Sequence, residues 1–187
     1  MPIDRLHIPV MTLAEVPPAW PQDADPKSSA VLALFMNDPC HGLSLLFTRR
    51  ASEMRSHAGQ VGFPGGRREI TDENPAATAL REAYEEIGLP PSSVAVLGMS
   101  KALRSLDFKP VLPIVAYTDL VLADFKPNPD EVAAIFLVPW AELTASHRSI
   151  VRFNIFGKWR ETPLYEAKGH HIWGLTAWML DQLALSE

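Results

Sequence analysis

Two apolar runs near the start of the chain, Ser29 to Met36 (SAVLALFM) and Leu43 to Thr48 (LSLLFT), have the length and character of buried β-strands. The stretch between them, Asn37 to Gly42, holds Asp38-Pro39 and a glycine, so the pair predicts a hairpin. Ser93 to Ser100 and Lys109 to Thr118 predict two more strands. Pro113 makes the second an edge strand or a bulge, because proline has no N–H to give a ladder. Leu103 to Phe108 is then a connecting loop, placed to overhang a site. The run AAIFLVPW, entered through Asn128-Pro129-Asp130-Glu131-Val132, is a further strand, and Trp140 to Leu143 starts a short helix. Between 149 and 168, apolar and polar residues alternate around Gly157-Lys158, which predicts a second hairpin.

Two helices complete the pattern. Asn74-Pro75 supplies a cap and a first helical residue, and Gly88 supplies the left-handed residue that closes a helix. Ala79, Leu80, Ala83, Tyr84 and Ile87 form its apolar side, suited to lie on a sheet. The other helix opens at His170-His171-Ile172-Trp173-Gly174 and runs through Leu185, with Trp173, Leu175, Trp178, Met179 and Leu183 as core residues. Residues 1–27, rich in proline and acids, form an arm, and residues 28–187 form one domain. The order of strands and helices predicts an α+β or α/β/α domain.

At 187 residues and 47% hydrophobic, the chain suits a single folded domain with a real core. A formal charge of −5 speaks against nonspecific nucleic-acid binding, which needs a basic face. An anionic small molecule remains compatible, since metal ions and a few arginines invert the local sign. Cys40 is the lone cysteine, so neither a disulfide framework nor a cysteine zinc site is expected. With no apolar run of membrane length and no signal-peptide core, no membrane association is expected and the cytoplasm is the simplest setting. A homodimer is left open.

The chemistry concentrates between Gly65 and Leu89, GGRREITDENPAATALREAYEEIGL. At about 100° per residue, Glu82, Glu85 and Glu86 project within one arc roughly 100° wide. Like charges one turn apart oppose each other, and no lysine breaks them up. Carboxylates grouped this way suit Mg²⁺ or Mn²⁺, hard cations that hold substrate phosphates. Arg81 stands one turn before Glu85, close enough to steady a carboxylate. Upstream, Arg49, Arg50 and Arg55 fall within seven positions, and guanidinium forks fit phosphate oxygens. His57 is either a loop hydrogen-bonder or a ligand contact, and Gly59, Gly62, Gly65 and Gly66 allow backbone to approach a ligand closely. The His170-His171 pair is not expected to bind metal, since neighbours on a helix do not face together.

The run resembles the Nudix box, G-x5-E-x7-R-E-U-x-E-E-x-G-U, with Arg81-Glu82, Glu85-Glu86, Gly88 and Leu89 in place and Glu73 at the upstream acid. Arg67 falls where the first glycine belongs, so the loop after Gly66 is one residue longer, and Asp72 or Glu73 is the upstream acid. Ala83 replaces a larger aliphatic. A second piece, Leu45-Leu46-Phe47-Thr48-Arg49 with Met54-Arg55, His57, Gly59, Val61 and Phe63-Pro64-Gly65-Gly66, is similar to the segment preceding the box in the coenzyme A pyrophosphatase branch.

The resemblance implies a Nudix fold, an α/β/α sandwich with a mixed sheet flanked by helices. It implies hydrolysis of the pyrophosphate bond of coenzyme A or a derivative, giving 3′,5′-adenosine bisphosphate and 4′-phosphopantetheine or its acyl form. Glu82, Glu85, Glu86 and the Gly66 carbonyl would hold Mg²⁺ or Mn²⁺, and Arg81 would orient the acids. Glu82 or Glu131 would be the base; Glu131, standing at a loop-to-strand junction, would be either that or an extra metal ligand. Arg49, Arg55, His57 and Gly65 would meet the substrate. The rivals are a Nudix enzyme acting on ADP-ribose, NADH or a nucleoside triphosphate, and a non-catalytic nucleotide sensor.

Overall fold

The computed structural model describes residues 13–21, 24–53, 59–143, 147–155 and 157–184. Its organising strand is β1 (Ser29–Asp38), whose side chains divide between two cores as a strand's period of two requires. Ala30, Leu32, Leu34 and Met36 face one way and join Ala79, Ala83 and Ile87 of the helix α1 (Pro75–Ile87). Ala33 and Phe35 face the other way, toward Ala177, Met179, Leu180 and Leu183 of α2 (Gly174–Ala184). Every one of these β1 side chains is at most 1% exposed, so both faces of the sheet are covered. Burial of each larger one contributes roughly 1.5–3 kcal/mol.

Around β1 the main sheet is mixed. β2 (Gly42–Arg50) pairs antiparallel with its C-terminal half, and β4 (Gly65–Arg67) pairs antiparallel with Ser29, Ala30 and Val31. On the other side β7 (Pro110–Thr118) runs parallel to β1 along eight residue pairs. β3 (Val61–Gly62) and β8 (Val132–Pro139) pair with β2, while β5 (Ala95–Met99) and β6 (Leu103–Arg104) pair with β7. A second sheet of β9 (Arg148–Ile155), β10 (Lys158–Ala167) and β11 (His170–Trp173) lies with α2 on the far side of the main sheet. The result is an α/β/α sandwich. Among the described residues, no helix is long and apolar enough to cross a membrane.

Several expectations are corrected. β7 is not an edge strand, since it lies between β1 and β5. Pro113 is accommodated where the partner changes from β5 to β6, and its carbonyl accepts from Ser100 N at 2.9 Å. Leu103 and Arg104, expected in a loop, pair with β7. His170 to Trp173 form a strand rather than a helix start. Lys168 and Gly169 both have positive φ (51° and 75°), the two-residue turn that returns a hairpin strand. Trp173 and Trp178 are consequently 37% and 42% exposed, and Tyr84 on α1 is 58% exposed, so none is a core residue. Trp140–Glu142 is one turn of 3₁₀ helix.

The described part of the N-terminal arm packs on the domain. Ala14 bridges to Met99 through two backbone hydrogen bonds of 2.8–2.9 Å, and the Trp20 N–H donates to the Glu73 carbonyl. Gly98, at a register shift in β5, makes the approach possible: a Cβ there would lie 2.7 Å from Leu13 Cβ and 2.8 Å from the Ala14 carbonyl oxygen. Its φ of 154° also disfavours a side chain. Gly98→Ala is expected to destabilise the protein by about 1–3 kcal/mol, the usual range for forced overpacking. Urea denaturation measures this, and an unchanged midpoint would show that the arm does not press on β5.

Candidate active site

Helix α1 begins where its sequence says it should. Asn74 Oδ1 accepts from Ala77 N at 2.9 Å, Pro75 occupies the first position, and Gly88 ends the helix at φ 70° with its N–H on the Tyr84 carbonyl. Between these caps Ala79, Ala83 and Ile87 bed into the sheet, and their small size at two of three positions brings the helix close. That closeness carries Glu82 and Glu86 under the strand β4. Glu86 Oε2 accepts from Gly65 N at 3.1 Å, and a Cβ on Gly66 would fall 2.5 Å from the Glu82 carboxyl carbon. Gly65 is equally constrained from below, because a Cβ would meet the Ala30 oxygen and Val31 Cα at 2.5 Å. Only glycines fit between strand and acids.

Arg81 is the hub of the exposed side. Its Nε and Nη2 donate to the two oxygens of Asp72 at 3.0 and 3.1 Å, a bidentate fork. Nη1 donates to Glu82 Oε1 at 3.1 Å and to Glu85 Oε2 at 3.0 Å, and Nη2 also donates to the Arg67 carbonyl at 2.8 Å. Asp72 is buried and accepts further from Glu69 N and Thr78 Oγ1. Burial alone would raise its pKa, but the Arg81 fork and these two donors outweigh it and hold the carboxyl below the usual range. The guanidinium is in turn held charged, chiefly by Asp72. Of the two acids that the sequence left as alternatives, Asp72 is the one Arg81 holds, while Glu73 is exposed and engages the arm through its backbone.

A third element closes the cluster from the other side. Lys126 N and Asn128 N donate to the carbonyls of Ile87 and Glu86 at the end of α1, docking the loop that leads to β8. Asn128 Nδ2 then reaches Glu131 Oε1 at 3.4 Å, and the Glu131 carbonyl accepts from Ala51 N. Beside it the chain leaves an open hollow of about 490 Å³ lined by Ala51, Ser52, Glu53, Pro129, Asp130 and Ala133. Glu86 is 3% exposed, and desolvation lifts its pKa to about 7. The Gly65 N–H and Arg50 oppose this, and the charges of Glu82 and Glu131 add to it. Burial raises Glu82 as well, against Arg81 and with help from Glu85 and Glu131.

Such a set favours a cation. The donors are all oxygen, burial makes Glu82 and Glu86 resist ionising, and the diglycine leaves no Cβ between backbone and carboxylates. Among the described residues no three acid, histidine or cysteine side chains converge on one point. Arg81 holds Glu82 and Glu85, and Arg50 lies 3.5 Å from Glu86, each drawing its carboxylates aside.

Of the residues singled out in the sequence, Gly65, Gly66, Arg81, Glu82, Glu85, Glu86 and Glu131 are brought together. Glu85 is the most exposed of the three helical glutamates, with half its side chain open. Arg49 leaves β2 on the opposite face, following Leu45 and Phe47 into the α2 side, where it depresses the His170 pKa along with burial. It is Arg50, on the face of Leu46, that reaches the acids. The period-two alternation of β2 separates the two arginines, but which face meets α1 is a property of the assembled sheet. Arg55 and His57 lie outside the described residues. His170 stacks on Phe136 at 3.8 Å between centroids, and His171 pairs with Glu166, so the two point to different surroundings.

The NUDIX domain family matches residues 26–154, more than half of the chain. A curated relative named uncharacterized Nudix hydrolase NudL, from Pectobacterium atrosepticum, is 37% identical over 182 residues, covering 91% of this chain and 88% of that one. A protein of the same name from Photorhabdus laumondii is 44% identical over 142 residues, covering 75% of each. Among solved structures, a Nudix hydrolase from M. smegmatis, RenU, superposes with a TM-score of 0.51 at 22% identity, over 63% of this chain and 73% of that one. A C. elegans Ap4A hydrolase superposes with a TM-score of 0.51 at 16% identity, over 60% and 80%. With the strand, diglycine and acid-bearing helix arranged as described, and with these relatives along most of its length, the chain belongs to the Nudix hydrolase family.

Proposed function

We propose that this protein hydrolyses the pyrophosphate bond of coenzyme A or a derivative, releasing 3′,5′-adenosine bisphosphate and 4′-phosphopantetheine or its acyl form. The observation that carries a phosphoanhydride reaction is the packing of buried Glu86 and half-buried Glu82 against the Gly65-Gly66 backbone. Glu82, Glu85, Glu86 and the Gly66 carbonyl would hold Mg²⁺ or Mn²⁺, which supplies neutralising charge for a diphosphate and acidity to a water. Arg81, fixed by Asp72, orients Glu82 and Glu85. Support for coenzyme A is the segment from Leu45 to Gly66 that precedes the box. Gly65 brings its backbone against the substrate's diphosphate, with Arg55 and His57 as further contacts.

Glu131 is the better placed base. Glu82 Oε1 is engaged by Arg81 at 3.1 Å, whereas among the described residues the Glu131 carboxylate has a 3.4 Å contact from Asn128. It enters from a separate loop and takes a proton from water without giving up a helical ligand.

Three outcomes are expected. In a panel of coenzyme A, ADP-ribose, NADH, diadenosine tetraphosphate and a nucleoside triphosphate, with Mg²⁺ or Mn²⁺ and products weighed by mass spectrometry, coenzyme A gives the highest kcat/KM. No preference for it ends the substrate assignment. Glu131→Gln lowers kcat by roughly 10²–10⁴-fold, the usual contribution of a general base, while Mn²⁺ affinity is retained. A variant as fast as wild type would return the role to Glu82.

The third concerns pH. Burial above all lifts Glu86 from 4.5 to about 7, so between those values the folded protein keeps a proton that the unfolded chain has released. Stability from this group is complete below the unfolded value and lost as pH rises through the folded one, by up to roughly 3 kcal/mol. Melts in EDTA should therefore decline from pH 5 to 8 more steeply in wild type than in Glu86→Gln, and Mg²⁺ should restore wild type at pH 8. Parallel profiles for the two proteins would refute the assignment.

A further inference from the structure

Among the described residues, Arg50 is held differently from Arg81, the other arginine at the acids. It sits at the end of β2, on the face of Leu46, where the register against β8 shifts between Arg49 and Arg50. Its backbone is fixed, with N donating to the Gln60 carbonyl at 3.0 Å. Its side chain is less firmly held. Nη1 lies 3.5 Å from Glu86 Oε1, too long for a strong charge-assisted hydrogen bond, and Nε is buried without an acceptor among the described residues. Arg81, by contrast, engages three carboxylates and a carbonyl at 2.8–3.1 Å.

We propose that Arg50 is a resident counter-cation for Glu86, exchanged for the divalent ion on loading and thereby released to take a phosphate oxygen of the substrate. The inference rests on the pyrophosphatase function above and assigns to this arginine a part in it. Glu86 is 4% exposed in its side chain, and water cannot balance its charge there. Among the described residues the positive group beside Glu86 is Arg50. The two cations compete for one carboxylate and repel each other, so both do not hold Glu86 Oε1 together. Glu86 keeps its orientation through the exchange, because the Gly65 N–H holds its other oxygen. The displaced guanidinium carries an N–H that already lacks an acceptor, and a phosphate presents oxygens in the geometry its fork fits. Arg50 is thus a positioning and substrate-binding residue, coupled to the metal by mutual exclusion.

The test separates metal affinity from catalysis. Mn²⁺ binding to the full-length, chelator-treated protein is measured without substrate by the electron paramagnetic resonance signal of free Mn²⁺. Arg50→Met removes the charge at similar length, and Mn²⁺ should bind about tenfold tighter or more. At saturating Mn²⁺ its KM for the diphosphate substrate should rise about tenfold, with kcat changed less. Arg50→Lys keeps a point charge but loses the fork, so Mn²⁺ affinity should stay within about twofold of wild type while KM rises. This variant carries the test if the methionine variant does not fold. Unchanged or weaker Mn²⁺ binding in Arg50→Met, or an unchanged KM in both variants, overturns the exchange. Wild type that binds no Mn²⁺ would instead remove the metal assignment of the site itself.

Discussion

The fold at this end of the molecule depends on keeping a carboxylate where water cannot reach it. Glu86 is as buried as the apolar residues beside it, and transfer of an unpaired carboxylate into such a place is strongly unfavourable. The chain compensates with one backbone N–H of fixed direction, from Gly65, and with the more loosely held guanidinium of Arg50. Neither is enough to keep the group acidic, as its pKa near 7 shows. A site in that condition is set to respond to a proton or a metal ion. The short strand β4, the diglycine and the small residues of α1 are consequences, since each is needed to bring the backbone within reach of the acid.

The two arginines of the cluster divide the work by how tightly they are held. Arg81 is enclosed by Asp72, Glu82, Glu85 and the Arg67 carbonyl, with Asp72 fastened by Thr78 and Glu69. Removing it would free several carboxylates at once, so its role is structural. Among the described residues Arg50 has one long carboxylate contact and a buried Nε–H without an acceptor. A side chain so loosely engaged beside a half-neutralised acid is free to change partners. Both are basic residues near the acids in the sequence, and only their hydrogen bonds distinguish them.

Local signals were legible in the sequence where the physics is local. The caps of α1 and the arc of Glu82, Glu85 and Glu86 follow from residue identity and helical pitch, and both stand as read. The strands β1, β2, β7 and β8 follow likewise from apolar runs. What failed depended on pairing. Asp72 and Glu73 stay alternatives in the sequence until the loop path directs Asp72 to Arg81. Arg49 and Arg50 differ only in face. The strand β11 resembled a helix start because Trp173 and Trp178 match helical spacing, and the deciding feature was the Lys168-Gly169 turn against β10. Pro113 suggested an edge because a change of partner strand is invisible along one strand.

The segment Phe63-Pro64-Gly65-Gly66 shows how much of the site is carried by backbone. Phe63 is buried and stacks on Phe47 at 5.1 Å, which anchors the segment in the α2-side core. The Pro64 carbonyl accepts from Leu32 N at 2.8 Å, inserting the segment into the edge of β1 that β2 leaves open. Gly65 crosses directly against Ala30 and Val31 and turns its N–H to Glu86, and Gly66 lies against the Glu82 carboxylate. Four adjacent residues thus link one core, the central strand and two acids of a helix packed on the other face. Because β1 is fixed on its other edge by eight residue pairs with β7, the diglycine inherits the rigidity of the sheet. Catalytic geometry held by a sheet edge is less mobile than geometry held by a loop. That leaves adjustment to the elements outside it, the Asn128–Glu131 loop and the Arg50 side chain, which are the two parts assigned here to proton transfer and to phosphate.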